Sequence, residues 1–221
     1  MGEQALINVN GNNIPTLEIV VMMTIVALIP SIVIMMTSFT RIIIILSFTR
    51  NALGVQQVPP NMVLTGLALF LTLFIMAPVV TRINTEAYIP YQNGTITQQE
   101  ALNRATVPLK EFMLAQTETN SMNLYLDLSD TPTESVTDYR ELPMTTIIPA
   151  FMTSEIKRAF LAGFLIFLPF LLIDVIVSST LMSMGMIMLP PATISLPFKI
   201  LLFVTVDGWG LLFTSIVTGF N

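Results

Sequence analysis

The chain has 221 residues, of which 53% are hydrophobic and only 10% are charged, and its mean hydropathy is +0.78. A soluble globular domain carries about 25% charged residues, so this composition excludes an ordinary soluble protein. Without cysteine or histidine, and with a net charge of -5, the chain lacks thiolate nucleophiles, the commonest general base and the basic surface that nucleic-acid binding requires.

The N-terminal stretch, residues 1–13, contains no lysine or arginine, and no cleavage motif follows it. A signal peptide needs a basic N-terminal region, so we expect this stretch to belong to the mature protein. The first apolar segment is residues 19–40 and the second is residues 62–80. About 20 such residues span a hydrocarbon core as a helix. Between the segments, the glycine and double proline of residues 51–60 predict a turn.

A polar region follows, because residues 83–158 hold 15 of the 23 charged residues. Thr97 and Glu100 have the spacing of a capping box, and apolar residues then recur at helical intervals, which predicts a helix over 98–117. A short helical turn is expected within 120–130, and a loop up to residue 142.

Two further apolar segments, residues 159–189 and 194–220, are separated by a double proline. The sequence therefore predicts an all-α fold with two membrane-type helical hairpins flanking a small helical polar domain. The expected boundaries are 14–82, 83–148 and 149–221.

Orientation follows from Arg41 and Arg50, which lie near the first connection without a neighbouring acid. The positive-inside rule places this connection in the cytoplasm and the polar domain outside the membrane. Lys157 and Arg158 oppose this assignment at the outer end of the third segment, although long polar regions translocate largely regardless of charge.

Three charges lie within the second apolar region: Asp174, Lys199 and Asp207. Such charges are costly in lipid and indicate either an ion pair that fixes helix register or a proton or ion relay. Asp174 and Lys199 are equidistant from a turn between Met186 and Ile187, so a hairpin with its tip at 182–189 would bring them together. A turn centred on the double proline would instead bring Asp174 opposite Asp207.

The favoured tip has methionine at positions 182, 184, 186 and 188. Methionine is flexible and polarizable, so such a cluster is typical of adaptable binding surfaces, and the alternative is ordinary apolar filling near a turn. The sequence contains no nucleophile elbow, no phosphate-binding glycine loop and no metal-ligand cluster, so neither enzyme activity nor a metal or other cofactor is expected. An intramembrane aspartyl protease would need Asp174 and Asp207 to cooperate.

Three stretches, residues 38–52, 59–78 and 149–210, resemble the FliP family of the bacterial flagellar export gate and its injectisome counterparts. The resemblance implies a non-enzymatic subunit at the bacterial inner membrane, within the flagellar basal body. It implies assembly of several copies with Q and R subunits, beside other basal-body and export-apparatus proteins and lipid, into a conduit for unfolded flagellar proteins. It also implies long kinked helical hairpins.

Carried over by motif, the family's pore gasket falls on Met184, Met186, Ile187 and Met188. Many members have methionine where this chain has Ile187, whose β-branched side chain is stiffer. The family's charged pair falls on Asp174 and Lys199.

From the residues alone, the alternative is an ion- or proton-coupled transporter that uses Asp174, Lys199 and Asp207 as its relay. A transporter would work alone or as a small oligomer with its carboxylates facing water. A gate subunit needs neighbours and presents its methionines to their common axis.

Overall fold

A computed structural model of the protein describes residues 6–9, 12–55, 57–129, 138–186 and 188–220, and it divides into two compact units, residues 1–35 and 36–221. In the first unit, strands β1 (Leu6–Val9) and β2 (Asn12–Pro15) pair antiparallel. Helix α1 (Thr16–Met36) follows them. The predicted segment 19–40 was wrong at its end, because α1 ends at Met36 and a new helix begins at Phe39.

The second unit is helical, which confirms the all-α prediction. Its helices are α2 (Phe39–Ala52), α3 (Asn61–Ile83), α4 (Ile89–Gln92), α5 (Gln98–Gln116), α6 (Thr119–Leu128), α7 (Met144–Ser183), α8 (Pro191–Thr205) and α9 (Gly208–Thr218).

Helix α2 lies at the centre of this unit. Its buried residues recur at helical intervals and include Ile42, Ile45, Leu46, Thr49 and Ala52. Ile42, Ile45 and Leu46 pack with apolar residues of α3, α7 and α9 in one hydrophobic core. Because this contact is made within the chain, α2 is a core helix of the second unit.

Helices α2 and α7 run in the same direction and approach closely. Arg41 near the start of α2 contacts Glu155, and Phe48 further along α2 lies against Gly163. A β-carbon at Gly163 would lie 2.5 Å from Cγ of Phe48, so only glycine fits this contact. The rings of Phe48 and Phe160 meet edge to face, 5.1 Å apart, beside it.

Helix α3 does not end where the polar region begins. It continues through a π-helical segment, Asn84–Tyr88, into α4, so that one helical rod covers 61–92. Arg82 explains this extension, because its guanidinium binds Glu86 one turn along the rod and Glu111 of α5. The polar region is thus built directly on the end of an apolar helix.

The predicted helix over 98–117 is confirmed by α5, and the hydroxyl of Thr97 accepts the N–H of Glu100 at its start. The expected short turn within 120–130 is a ten-residue helix, α6. A 3-10 turn, Tyr139–Glu141, precedes α7, whereas most of the predicted loop before it lies outside the described residues.

Helix α7 has 40 residues and begins 15 residues before the predicted segment. At 1.5 Å per residue it is about 60 Å long, roughly twice the thickness of a hydrocarbon core. Ile147, Ala150 and Phe151 in its first turns pack against α5 and α6. The same helix therefore serves both the polar region and an apolar hairpin, which hydropathy alone could not show.

The predicted segment 194–220 is broken. Helix α8 ends at Thr205, α9 begins at Gly208, and the two axes differ by 62°. Among the described residues, the rod over 61–92 and α7 are long and apolar enough to cross a membrane, and α8 with α9 makes a third span if the bent pair counts as one. Within the part of the chain that the structure describes, two helices of spanning length are therefore found, or three with the bent pair, against the four segments predicted from hydropathy.

The close approach of α2 and α7 predicts that Gly163→Ala destabilises the protein by about 1–3 kcal/mol, because the new methyl group collides with the base of the Phe48 side chain. Thermal unfolding of the detergent-solubilised protein measures this effect. The control is Gly66→Ala in α3, where a β-carbon meets no atom within 4 Å and alanine favours the helix. Equal losses from both variants would contradict the packing argument.

Candidate functional site

The tip between α7 and α8 is defined at both ends by local backbone chemistry. The N–H of Gly185 binds the carbonyl of Met182, and the N–H of Met186 binds the carbonyl of Leu181, both at 3.0 Å. These two bonds form a Schellman motif, and Gly185 supplies the left-handed conformation it needs, with φ of +74°. On the other side, α8 starts at Pro191, whose ring suits the first position of a helix.

Three of the four methionines of this tip are exposed in the chain. Met184 is 66% exposed, Met188 is 98% exposed, and Met186 is half-buried. Ile187 lies outside the described residues. An apolar side chain that is almost fully exposed is unfavourable in water, so the tip presents a surface that another molecule or subunit can cover.

An ion pair at the base of the tip joins α7 to α8. Nζ of Lys199 donates to Oδ2 of Asp174 at 2.6 Å, and the Ser195 hydroxyl donates to Oδ1 at 2.6 Å. The Lys199 side chain is 6% exposed and that of Asp174 is 32% exposed. The structure thus brings together the two residues that the hairpin arithmetic favoured, and it adds Ser195, which the sequence analysis did not identify.

The same lysine ties the hairpin to α2. Nζ of Lys199 also donates to the backbone carbonyl of Ala52 at 3.3 Å, and it lies 3.8 Å from the position a β-carbon would take at Gly54. Phe170 and Phe203 pack with Ala52 in a buried cluster beside it. The end of α2 and the base of the tip therefore form one contact region.

Between α7 and α8, above this ion pair, the hairpin is open. An apolar groove of about 420 Å³ lies there, lined among others by Ile176, Val177, Leu181 and Phe198. The ion pair joins the two helices, but between this pair and the tip they are not tightly packed. Such incomplete packing leaves the side chains that line the groove room to adopt other rotamers.

Arg41, which the sequence analysis treated as a charge near the membrane, is buried. Its guanidinium binds both carboxylate oxygens of Glu155, with Nε at 2.9 Å from Oε2. It also donates to Gln116 Oε1 at 3.1 Å and to the carbonyl of Gly219 at 3.2 Å. Since Glu155 neutralises it, Arg41 no longer counts among the basic residues that support the predicted orientation by the positive-inside rule.

Glu155 and Gln116 were missed because their partners are distant in sequence. Glu155 is close in sequence to Lys157 and Arg158, and such a cluster is typical of the polar residues at the end of an apolar segment. Its partner Arg41 lies 114 residues away. The only available signal was an acid within an otherwise apolar helical stretch.

Arg50 lies at the other end of α2 from Arg41 and holds the α2–α3 connection. Its Nη1 donates to Asn61 Oδ1 at 2.6 Å and to the carbonyl of Pro59 at 3.2 Å. Arg50 is half-buried and has no acidic partner in the described part of the chain.

Asp207 lies at the break between α8 and α9. It has φ of 51°, is exposed, and its carboxylate accepts the N–H of Gly210 at 3.4 Å, as a helix cap. Gly208 fits beneath the Phe203 ring, where a β-carbon would lie 2.3 Å from it. Within the described residues no ion pair joins Asp207 to Lys199, and no acidic cluster could hold a metal ion.

Comparison with known proteins gives one consistent result. The model of the FliP family matches residues 22–216. Among similar relatives, the flagellar biosynthetic protein FliP of Bacillus subtilis (strain 168) is 51% identical over 207 residues, which cover 93% of this chain and 92% of the relative. The flagellar biosynthetic protein FliP of Pectobacterium carotovorum subsp. carotovorum is 49% identical over 213 residues, which cover 96% of this chain and 82% of the relative. That of Aquifex aeolicus (strain VF5) is 45% identical over 211 residues, which cover 96% of this chain and 88% of the relative.

The ion pair at the base of the tip predicts that Asp174→Asn destabilises the protein by about 1–3 kcal/mol, because Lys199 keeps its buried charge without a counterion. Thermal unfolding of Asp174→Asn, Lys199→Gln and the double variant measures the coupling. The matched control is Asp207→Asn, since asparagine also caps helices and tolerates the left-handed conformation. Additive single-variant effects would show that the pair does not fix the hairpin.

Proposed function

The chain belongs to the FliP family, and from this membership we propose that it is a core subunit of the flagellar type III protein export gate, sealed by the methionine-rich tip. It is a non-enzymatic component of the inner-membrane export apparatus. With Q and R subunits and several copies of itself, it forms a gated conduit for unfolded flagellar proteins. The observation that carries this proposal is the exposure of methionines on a tip whose two ends are fixed.

The tip has the chemistry of an adaptable seal. Methionine side chains have three rotatable bonds, so Met184, Met186 and Met188 can close against their counterparts from neighbouring copies or around a passing chain. Ile187, assigned to the same gasket by the resemblance, has a stiffer β-branched side chain. The Schellman motif and the proline start of α8 hold the two ends, which limits the change to side chains.

The apolar surface of the chain supports assembly with neighbours. On α3, Phe70 and Phe74 are 72% and 68% exposed, and on α7, Leu172 is 62% exposed. Patches of this kind need lipid or protein to cover them. Copies of this chain, Q and R subunits and other basal-body proteins provide that cover in the proposed gate.

For the orientation, the polar helices lie outside the cytoplasm and the α2–α3 connection lies on the cytoplasmic side. Arg50 is the basic residue that still supports this orientation, because Glu155 neutralises Arg41. The contact between Lys199 and Ala52 supports a tip that lies towards that same side, away from α5 and α6. Export substrates would therefore meet the seal before they pass the polar domain.

For the seal, Met186→Gly with Met188→Gly is expected to leak small ions across the membrane while the gate complex still assembles, because glycine removes the side chains that close the tip. Ion conductance of the reconstituted complex measures the leak. The control replaces the same two methionines by leucine, which preserves apolar volume and is expected to remain tight. An assembled glycine variant without leakage would remove the tip from the seal.

For the partnership, co-expression with Q and R subunits is expected to yield a large complex of defined stoichiometry after detergent extraction, because the exposed apolar faces are then covered. Mass measurement of the complex, compared with this chain expressed alone, tests this. A stable monomer or dimer that ignores both subunits would disprove the partnership.

A further inference from the structure

A groove between α2, α7 and α9 has one polar end and one apolar end. It has a volume of about 200 Å³. At its polar end lie Arg158, Ser215 and Gly219. From there the groove continues along α7, where Ala162 and Ile166 follow Arg158 at one-turn intervals on the same face, with residues of α9 opposite.

The two helices that form the walls explain this polarity. Arg41 binds both Glu155 of α7 and the carbonyl of Gly219 at the end of α9, so the end of α9 lies beside Glu155. Leu212 lies earlier on α9. Helix α9 therefore runs opposite to α7, and its apolar residue Leu212 faces the same end of the groove as Ile166. Eight residues separate Arg158 from Ile166, which is about 12 Å along the helix.

The polar end carries one cation more than it carries acids. Arg41 is paired with Glu155, and Lys157 donates to Glu118 at 2.6 Å. Nε of Arg158 lies 3.7 Å from the same Glu118 carboxylate.

Among the described residues, Arg158 therefore pairs with Glu118 only at long range, and it shares this carboxylate with Lys157. Its close hydrogen bond goes to the neutral amide oxygen of Gln116, at 3.0 Å. The hydrogen bond from Lys157 lowers the pKa of Glu118 below its usual range, and Arg158 adds to this effect, so Glu118 is ionised and already shared between two cations. The Arg158 side chain lines the groove and is 33% exposed.

We propose that this groove binds one anionic phospholipid, with its phosphate at Arg158 and one acyl chain along Ala162, Ile166 and Leu212. Charge complementarity carries this assignment, because Arg158 shares the single carboxylate of Glu118 with Lys157 and a phosphate supplies a second anion, which also accepts a hydrogen bond from the Ser215 hydroxyl. The apolar walls exclude a freely soluble anion as the complete ligand. The site is independent of the methionine tip and goes beyond the proposed gate function.

The size of the groove limits what it holds. Sites for drug-sized ligands occupy about 300–1,000 Å³, so this smaller groove takes the phosphate and the first part of one chain, while the rest of the lipid lies outside. Bound in this way, the lipid would fill the space between α7 and α9 and neutralise the charge of Arg158.

The test is native mass spectrometry of the purified full-length protein in detergent, titrated with phosphatidylglycerol or with phosphatidylcholine of identical acyl chains. We expect phosphatidylglycerol to be retained about fivefold more strongly, the effect of one basic side chain on an anionic lipid. Arg158→Gln removes this preference, and Arg158→Lys keeps most of it. The matched control is Arg104→Gln on α5, an exposed arginine whose partner is Glu100, which leaves the preference unchanged.

Two further measurements separate a lipid site from a simple anion site. Ala162→Phe fills the apolar part of the groove and is expected to abolish retention of phosphatidylglycerol, with the unfolding temperature measured in parallel to show that the fold persists. Soluble glycerol phosphate, added in large excess, is expected not to compete. Competition by glycerol phosphate, retention by a folded Ala162→Phe variant, or equal losses from Arg158→Gln and Arg104→Gln would each overturn the proposal.

Discussion

The buried pair of Arg41 and Glu155 is the constraint on which the second unit depends. Removing two charges from water costs several kcal/mol per ion, so such a pair is tolerated only when further hydrogen bonds satisfy it. Gln116 and the carbonyl of Gly219 supply those bonds, and the Phe220 ring lies 3.8 Å beneath the guanidinium.

This requirement gathers four parts of the chain at one point. Arg41 belongs to α2, Glu155 to α7 and Gln116 to the end of α5, while the backbone after α9 contributes the carbonyls of Gly219 and Phe220. A shift of α2 or α7 by one helical turn would leave a buried charge unpaired, and a shift of α5 or of the end of α9 would remove hydrogen bonds from the buried guanidinium. The network thus sets the position of the polar helices, the long helix α7 and the end of α9 relative to α2.

A second pair, Asp174 with Lys199, repeats this arrangement at the far end of α2, where Lys199 also reaches Ala52. Between the two pairs, Gly163 lets α2 and α7 approach closely. The register of α7 against α2 is consequently fixed at both ends and in the middle, and the methionine tip extends about 14 Å beyond the second pair, nine residues further along α7. A seal with adaptable side chains requires a hairpin whose position is fixed, and the second pair supplies this below the open groove.

The sequence by itself determined the features that depend on local chemistry or composition. Hydropathy located the two apolar regions but not the ends of their helices. The capping residue Thr97 marked the start of α5, and the symmetry of a hairpin favoured a pair between Asp174 and Lys199. Each of these follows from residues close in the chain or from the geometry of one turn. The tertiary structure alone decided that Arg41 pairs with Glu155, that α7 extends into the polar region, and that Asp207 caps a break between two helices. A charge beside an apolar segment has the same hydropathy whether it faces water or a partner more than a hundred residues away, so only packing could distinguish these cases.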